Sequence, residues 1–267
     1  MRRRGWVWSF FSLCFVIVGA GIIINTVFKD KTSTIFAAIS GKEVFHVPDV
    51  NKLKHDDYGQ SVREGKELID HTSERLPENV GNSLNCISCH AGGNAQVLSF
   101  VGVAKKYPSY SDREGKVIDL ADRVNGCMIR SMDGKELPKN SPELKAMVNY
   151  ITYLSKDVKD PKKASWLNPI AVDDLPKVTA QEGKKLYKDY CLKCHATDGS
   201  GDQALGIPAL WGDDTYNDGA GMSKIPKATG FIMKAMPLDR PGTLTKRQAA
   251  AIATYIDTME RPHFEKK

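Results

Sequence analysis

Apolar positions recur at helical spacing in separate stretches of the chain, and their order predicts the architecture. Near the start, Gly5 to Phe28 carries no charged side chain over 24 residues, enough for a helix to cross a hydrocarbon core of ~30 Å. Further on, Leu144, Met147, Val148, Ile151 and Leu154 return every three or four residues and give one apolar helix face. Ser141, Pro142 and Glu143 stand before them as N-cap, first-turn proline and early acid. A second such segment starts at Thr245 and runs through the alanine-rich stretch Lys246 to Ile256. Two further helix-like stretches match each other in sequence: Arg63-Glu64-Gly65-Lys66-Glu67-Leu68 and Gln181-Glu182-Gly183-Lys184-Lys185-Leu186. The chain therefore reads as an internal repeat of opening helix, irregular loop and closing helix, an all-α pattern.

The boundaries follow from composition. Residues 1–28 form the apolar anchor, 29–56 a mixed connecting arm, 57–156 the first domain and 178–262 the second. Between the domains, 157–177 holds Pro161, Pro169 and Pro176 with few helix signals and reads as a linker. Arg2, Arg3 and Arg4 before the anchor favour a cytoplasmic N-terminus, although Lys29 and Lys31 blunt the bias. Trp6 and Trp8 lie where an aromatic belt would put them. The rival reading, a cleaved signal peptide, has an apolar region of only about 7–15 residues. Cys14 follows Ser12-Leu13, a poor lipobox, and reads as a small buried residue. The expectation is a single-pass cell-membrane protein whose remaining chain lies on the extracytoplasmic side.

Composition narrows the function classes. The chain is 41% hydrophobic and 26% charged, as compact folded modules are. Its formal charge of +6 includes the three arginines ahead of the anchor. No basic stripe with interleaved aromatics appears, so nucleic acid is excluded as a partner.

Each opening helix is followed by Cys-x-x-Cys-His: Cys86, Cys89 and His90, then Cys191, Cys194 and His195. This pattern attaches haem covalently: the thiols add to the vinyl groups and the histidine places its imidazole on the iron. A redox or zinc Cys-x-x-Cys needs no trailing histidine. Two covalently bound haem c groups are expected. Of six cysteines, Cys14 lies in the anchor and four in the motifs, leaving Cys127. It follows His90 by 37 positions, the interval at which a cytochrome c supplies its distal ligand, and Met128 and Met132 stand beside it as rivals. In the second half Met236 follows His195 by 41 positions and precedes Pro237, with Met222, Met233 and Lys234 as alternatives. The arrangement resembles the cytochrome c fold, in which a glycine on the first helix meets an aromatic on the last. Gly65 with Tyr150 or Tyr153, and Gly183 with Tyr255, are the expected pairs.

A family resemblance rests on several runs: Tyr58-Gly59-Gln60, Val80 to Cys86, Ser99 to Val103, Tyr107-Pro108, and Asp122-Arg123-Val124-Asn125-Gly126-Cys127-Met128-Ile129-Arg130-Ser131-Met132-Asp133-Gly134-Lys135. They resemble the dihaem thiosulfate dehydrogenases and, more distantly, the cytochrome subunit of the sulfur-oxidising complex. The resemblance covers roughly residues 56–260. It implies an oxidoreductase that couples two thiosulfate ions to tetrathionate, or runs in reverse, passing electrons from haem 1 to haem 2 to an external acceptor such as a soluble cytochrome or terminal oxidase. It also implies that Cys127 binds the catalytic haem opposite His90, and that Met236 serves the second haem opposite His195. Arg113, Arg123 and Arg130 match positions associated with the active site, and Ser109 and Ser131 could donate hydrogen bonds at its rim. Lys105 and Lys106 read better as a solvated face. Departures are the retained anchor and the short loop Ala91 to Gln96. The competing reading is a non-catalytic dihaem carrier relaying electrons to a terminal oxidase.

Overall fold

The computed structural model describes residues 42–90 and 96–265. Two helical units follow the predicted repeat. In the first, α1 (Asp57–Asp70) leads through α2 (Thr72–Arg75) to α3 (Ile87–His90), and the unit closes with α4 (Leu120–Met128) and α5 (Pro142–Leu154). In the second, α6 (Ala180–Tyr190) and α7 (Leu192–His195) are followed by α8 (Ile225–Ala235) and α9 (Lys246–Asp257). The helix starts are set by side chains that satisfy orphan backbone donors. Ser141 Oγ accepts from the Leu144 amide at 3.1 Å, and Thr245 and Gln248 form a reciprocal capping box.

Opening and closing helices cross where the sequence supplies glycine. A Cβ on Gly65 would stand 2.0 Å from the Ala146 carbonyl oxygen and 2.9 Å from Tyr150 Cβ. Tyr150 is thus the aromatic partner, while Tyr153 donates its hydroxyl to the Asp49 carbonyl at 2.7 Å. The second unit repeats the device: a Cβ on Gly183 would lie 1.9 Å from the Ala251 carbonyl oxygen and 2.7 Å from Tyr255 Cβ. The backbones approach too closely for any side chain there.

Among the described residues, one strand pair departs from the all-α pattern. β1 (Ser109–Ser111) and β2 (Lys116–Ile118) pair antiparallel, Tyr110 opposite Val117. Gly115 at φ +64° turns the hairpin, and Ile118 is buried while Tyr110 and Val117 face solvent. Six residues alternating over so short a span carry too weak a period to be read beforehand.

The proline-rich linker is also more than a tether. Val158 and Ala164 are buried with Val101, and Phe45, Val47 and Trp166 pack on them. Trp166 Nε1 donates to the Val101 carbonyl at 2.9 Å. Prolines stop a helix without preventing apolar burial, so arm and linker together strap the first unit.

A polar seam joins the units. Asn82 Nδ2 donates to the carbonyls of Thr215 and Ser131, each at 3.0 Å. Asn217 Nδ2 donates to the Ile129 carbonyl at 2.9 Å and Asp133 Oδ1 at 2.7 Å. Ser83 N meets Asp214 Oδ1 at 2.6 Å. Apolar contacts cross as well: Tyr216 and Ala220 are buried in the first unit's core, beside Leu120 and Met128. Among the described residues no helix is long and apolar enough to cross a membrane. The expected anchor with Cys14, and residues 91–95 of the loop after His90, lie outside the described residues.

Candidate functional site: two haem-attachment clefts and an arginine-lined thiol

In the first unit, Cys86 just before α3 and Cys89 and His90 on it line a cleft of about 70 Å³. Across it, α4 places Cys127 and Met128, followed by Ser131 and Met132, while Ile69, Phe100, Met147 and Ile151 form apolar walls. His90 Nδ1 lies 2.5 Å from the Leu98 carbonyl. A carbonyl only accepts, so Nδ1 carries the proton and Nε2 keeps its lone pair for a metal. The ring stacks on Phe100 with centroids 4.1 Å apart, and burial lowers its pKa to about 4, which keeps the imidazole neutral. Burial likewise pushes the Cys86 thiol up to about 12 and Cys89 up to about 11.

The second unit is built alike. His195 Nδ1 faces the Pro208 carbonyl at 3.1 Å, and burial again lowers the imidazole pKa. Met236 and Met233 pack against the Tyr187, Ile232 and Ile252 cluster. Lys234 is exposed on α8, and Met222 packs against the first unit's core instead, which removes it from the second site. Both donor sets fit haem c: paired thiols at the attachment spacing, an adjacent histidine with its outer nitrogen held by a carbonyl, and a sulfur side chain available to each centre.

Around Cys127 the charge is positive. Arg123 stands one helical turn before it on α4, and its Nη1 donates to Cys127 Sγ at 2.8 Å. The charge on Cys127 is the largest influence raising the Arg123 pKa. Arg113, on the hairpin turn, has its pKa lowered by burial and by Arg130 and Arg123. Arg130 differs from the expected substrate-facing role: it is buried, and its Nη2 is paired with Glu114 Oε1 at 2.7 Å. Its Nη1 donates to the Gly126 carbonyl at 3.1 Å, and Phe264 lies against the guanidinium. Ser131 lines the cleft, whereas Ser109 sits on β1 and is not among the lining residues. Lys105 and Lys106 are exposed, as expected for a solvated face.

Two neighbours carried no sequence signal. Lys227, on α8 of the second unit, has its pKa lowered first by burial and then by Arg113 and Arg123. Tyr216 of the second unit is also buried in the first unit's core, and that burial raises its pKa. Neither lies in a recognisable motif, and only the docking of the units brings them here.

A family profile described as the SoxA/TsdA cytochrome c domain matches residues 77–159. One described as cytochrome c oxidase, cbb3-type, subunit III matches 178–256. The thiosulfate dehydrogenase of Psychrobacter arcticus is 37% identical over 229 residues, covering 84% of this chain and 70% of that protein. The chain belongs to the thiosulfate dehydrogenase family. A second family member, from Allochromatium vinosum, is 35% identical, covering 82% of this chain and 85% of its own length. The solved thiosulfate dehydrogenase (TsdBA) of Marichromatium purpuratum superposes with a TM-score of 0.77 at 29% identity. That match covers 85% of this chain, which spans about half, 51%, of the solved one. The two units are thus cytochrome c domains, and the family makes the protein a haem c oxidoreductase.

Proposed function

We propose that the protein binds two haem c groups and oxidatively couples two thiosulfate ions to tetrathionate, or catalyses the reverse. The observation that carries this reading is the Arg123–Cys127 contact at 2.8 Å, at the exposed edge of the first attachment cleft. A thiol held by a guanidinium beside two further cations suits a sulfur anion; a simple electron carrier has no use for it. Cys86, Cys89, His90 and Cys127 would hold the first haem, and Cys191, Cys194, His195 and Met236 would hold the second. When bound, each haem would supply a one-electron acceptor, enough together for the two electrons of one turnover.

The chain's own groups perform the sulfur chemistry. Arg113, Arg123 and Lys227 draw the thiosulfate dianion in and offset its charge as it leaves water. Cys127 thiolate forms a sulfur–sulfur bond to the outer sulfur of one thiosulfate, and two electrons leave. A second thiosulfate attacks that outer sulfur, the bond to Cys127 breaks, and tetrathionate departs with the thiolate restored. No proton is consumed. Arg130, tied to Glu114, frames the site and does not contact substrate.

The N-terminal 28 residues would anchor these domains at the extracytoplasmic face of the cell membrane, delivering electrons to a soluble cytochrome or terminal oxidase. Purified protein should reduce ferricyanide when given thiosulfate. Cys127→Gly should abolish this while pyridine haemochrome spectra still count two haems. Full activity in that variant would sink the assignment.

A further inference from the structure

The mechanism leaves one charged face of the first unit unused. Lys105 and Lys156 rim an open cleft of about 750 Å³ whose walls are mainly apolar and aromatic, among them Leu53, Tyr58, Pro108 and Tyr153. Lys106 continues the rim toward the linker, where its Nζ donates to the Leu167 carbonyl at 3.2 Å. Lys159, Lys162 and Lys163 follow on the linker itself. All six lysines are exposed, and none forms an ion pair among the described residues. The carboxylates among them are Glu43, Asp119, Asp157 and Asp160, and three are turned to backbone amides. Glu43 Oε1 accepts from the Lys159 and Asp160 amides at 3.0 and 2.7 Å. Asp160 Oδ1 accepts from the Lys162 amide at 2.9 Å, and Asp119 Oδ1 from the Asp122 amide at 2.7 Å. The face is therefore net positive, and Tyr58 stands on it 46% exposed.

The path of the chain selects the occupant. The Glu43 amide donates to the Lys163 carbonyl at 3.3 Å, and Phe45 meets Trp166 edge to face with centroids 5.2 Å apart. The connecting arm thus arrives on this same face. Thirteen residues separate Phe28, the end of the apolar stretch, from Lys42, a reach of at most roughly 45 Å. Lysines with apolar stems, beside tyrosines with one polar tip, suit the depth of lipid headgroups. We propose that this lysine-rimmed face rests on anionic phospholipid, its ammonium groups meeting the phosphates and its tyrosine-walled cleft turned to the bilayer. The inference rests on the reading that the N-terminal 28 residues anchor the chain. It adds which side of the first domain faces the membrane and which lipid charge holds it there.

The test keeps the two claims apart. Full-length holoprotein is reconstituted into nanodiscs of phosphatidylcholine, either alone or with about one third phosphatidylglycerol. An amine-reactive label is then read lysine by lysine by mass spectrometry, with Lys184, Lys185 and Lys188 on α6 as exposed controls. In the anionic discs, labelling of the six lysines should fall about threefold or more while the controls do not move, and about 1 M salt, where the Debye length is ~3 Å, should erase the difference. In Lys105→Gln/Lys156→Gln/Lys163→Gln, protection of the remaining three should disappear while thiosulfate turnover in detergent stays at the wild-type rate. Equal labelling in the two kinds of disc would overturn the proposal, and is what an acidic protein partner for this face would give. Equal protection of the controls would overturn it too, since mere crowding by a bilayer produces that. Failure of the anchor reading shows separately, as loss of the protein from phosphatidylcholine discs on washing. Sedimentation with phosphatidylglycerol vesicles then decides the face by itself: salt-reversible binding sustains it, and no binding overturns it.

Discussion

Glu114→Ala tests whether Arg130 belongs to the frame of the site or to its working surface. The Arg130 side chain is 6% exposed and that of Glu114 24%. Opposite unit charges about 4 Å apart interact by about 4 kcal/mol at an effective dielectric near 20. Solvent reaches Glu114 and screens the pair, which brings the expected loss to about 2–3 kcal/mol. Most of that loss is the cost of leaving a buried guanidinium without its counter-charge. It corresponds to a roughly 30- to 150-fold fall in the folded-to-unfolded ratio. Urea unfolding of the holoprotein, followed by far-ultraviolet dichroism and by haem absorbance, measures it. The double variant Glu114→Ala/Arg130→Met should recover much of the loss, because an apolar side chain of similar length suits the contact with Phe264. The thiosulfate KM of Glu114→Ala should stay within about threefold, under about 0.7 kcal/mol. A loss below about 0.5 kcal/mol, or strict additivity in the double variant, would refute the buried-pair argument. A tenfold change in KM would return Arg130 to the substrate.

Other outcomes follow from the same geometry. Lys227→Gln should raise the thiosulfate KM severalfold while kcat moves little, since the lysine adds attraction without touching the sulfur centre; steady-state rates at several ionic strengths would show it. Gly183→Ala should destabilise the second domain by about 3 kcal/mol or more, because its methyl group meets the Ala251 carbonyl 1.9 Å away; chemical denaturation of the holoprotein reports the loss. The C-terminal tail is clasped by Asp218, which accepts from the Phe264 amide at 2.8 Å and pairs with His263 at 2.6 Å. The backbone bond to Phe264 and the His263 contact lower the Asp218 pKa below 3.8, and Asp218 raises His263 above 6.5. The Asp218 contribution is therefore present above pH 3.8 and lost as pH falls through its folded value. The His263 contribution is present below pH 6.5 and lost as pH rises through its own. The protection factor for hydrogen exchange at Phe264, its rate relative to the intrinsic rate at each pH, should be greatest between these limits.

Much of the fold was readable in advance where a local cause fixes it. Ser141 and Thr245 cap their helices because their side chains accept from backbone amides three residues on. The glycine–aromatic crossings follow from the repeat, and the geometry chose Tyr150 over Tyr153. Each attachment motif follows its opening helix, as the repeat implied. What stayed hidden depends on contacts between segments far apart. Nothing in the sequence around Arg130 says that Glu114, sixteen residues earlier, would neutralise it. Lys227 is an exposed helix lysine like any other, and only the docking of the domains brings it within reach of Arg113 and Arg123. Val158 and Ala164 sit between prolines with no period, so only the three-dimensional packing shows them buried.

Tyr216 and Ala220 have a consequence for the order in which the protein matures. They fill part of the first domain's core, yet they are synthesised after that domain's own last helix, α5, has ended at Leu154. Until they arrive, the first domain's core is incomplete, so that domain reaches its full packing only once this later segment of the chain has been made.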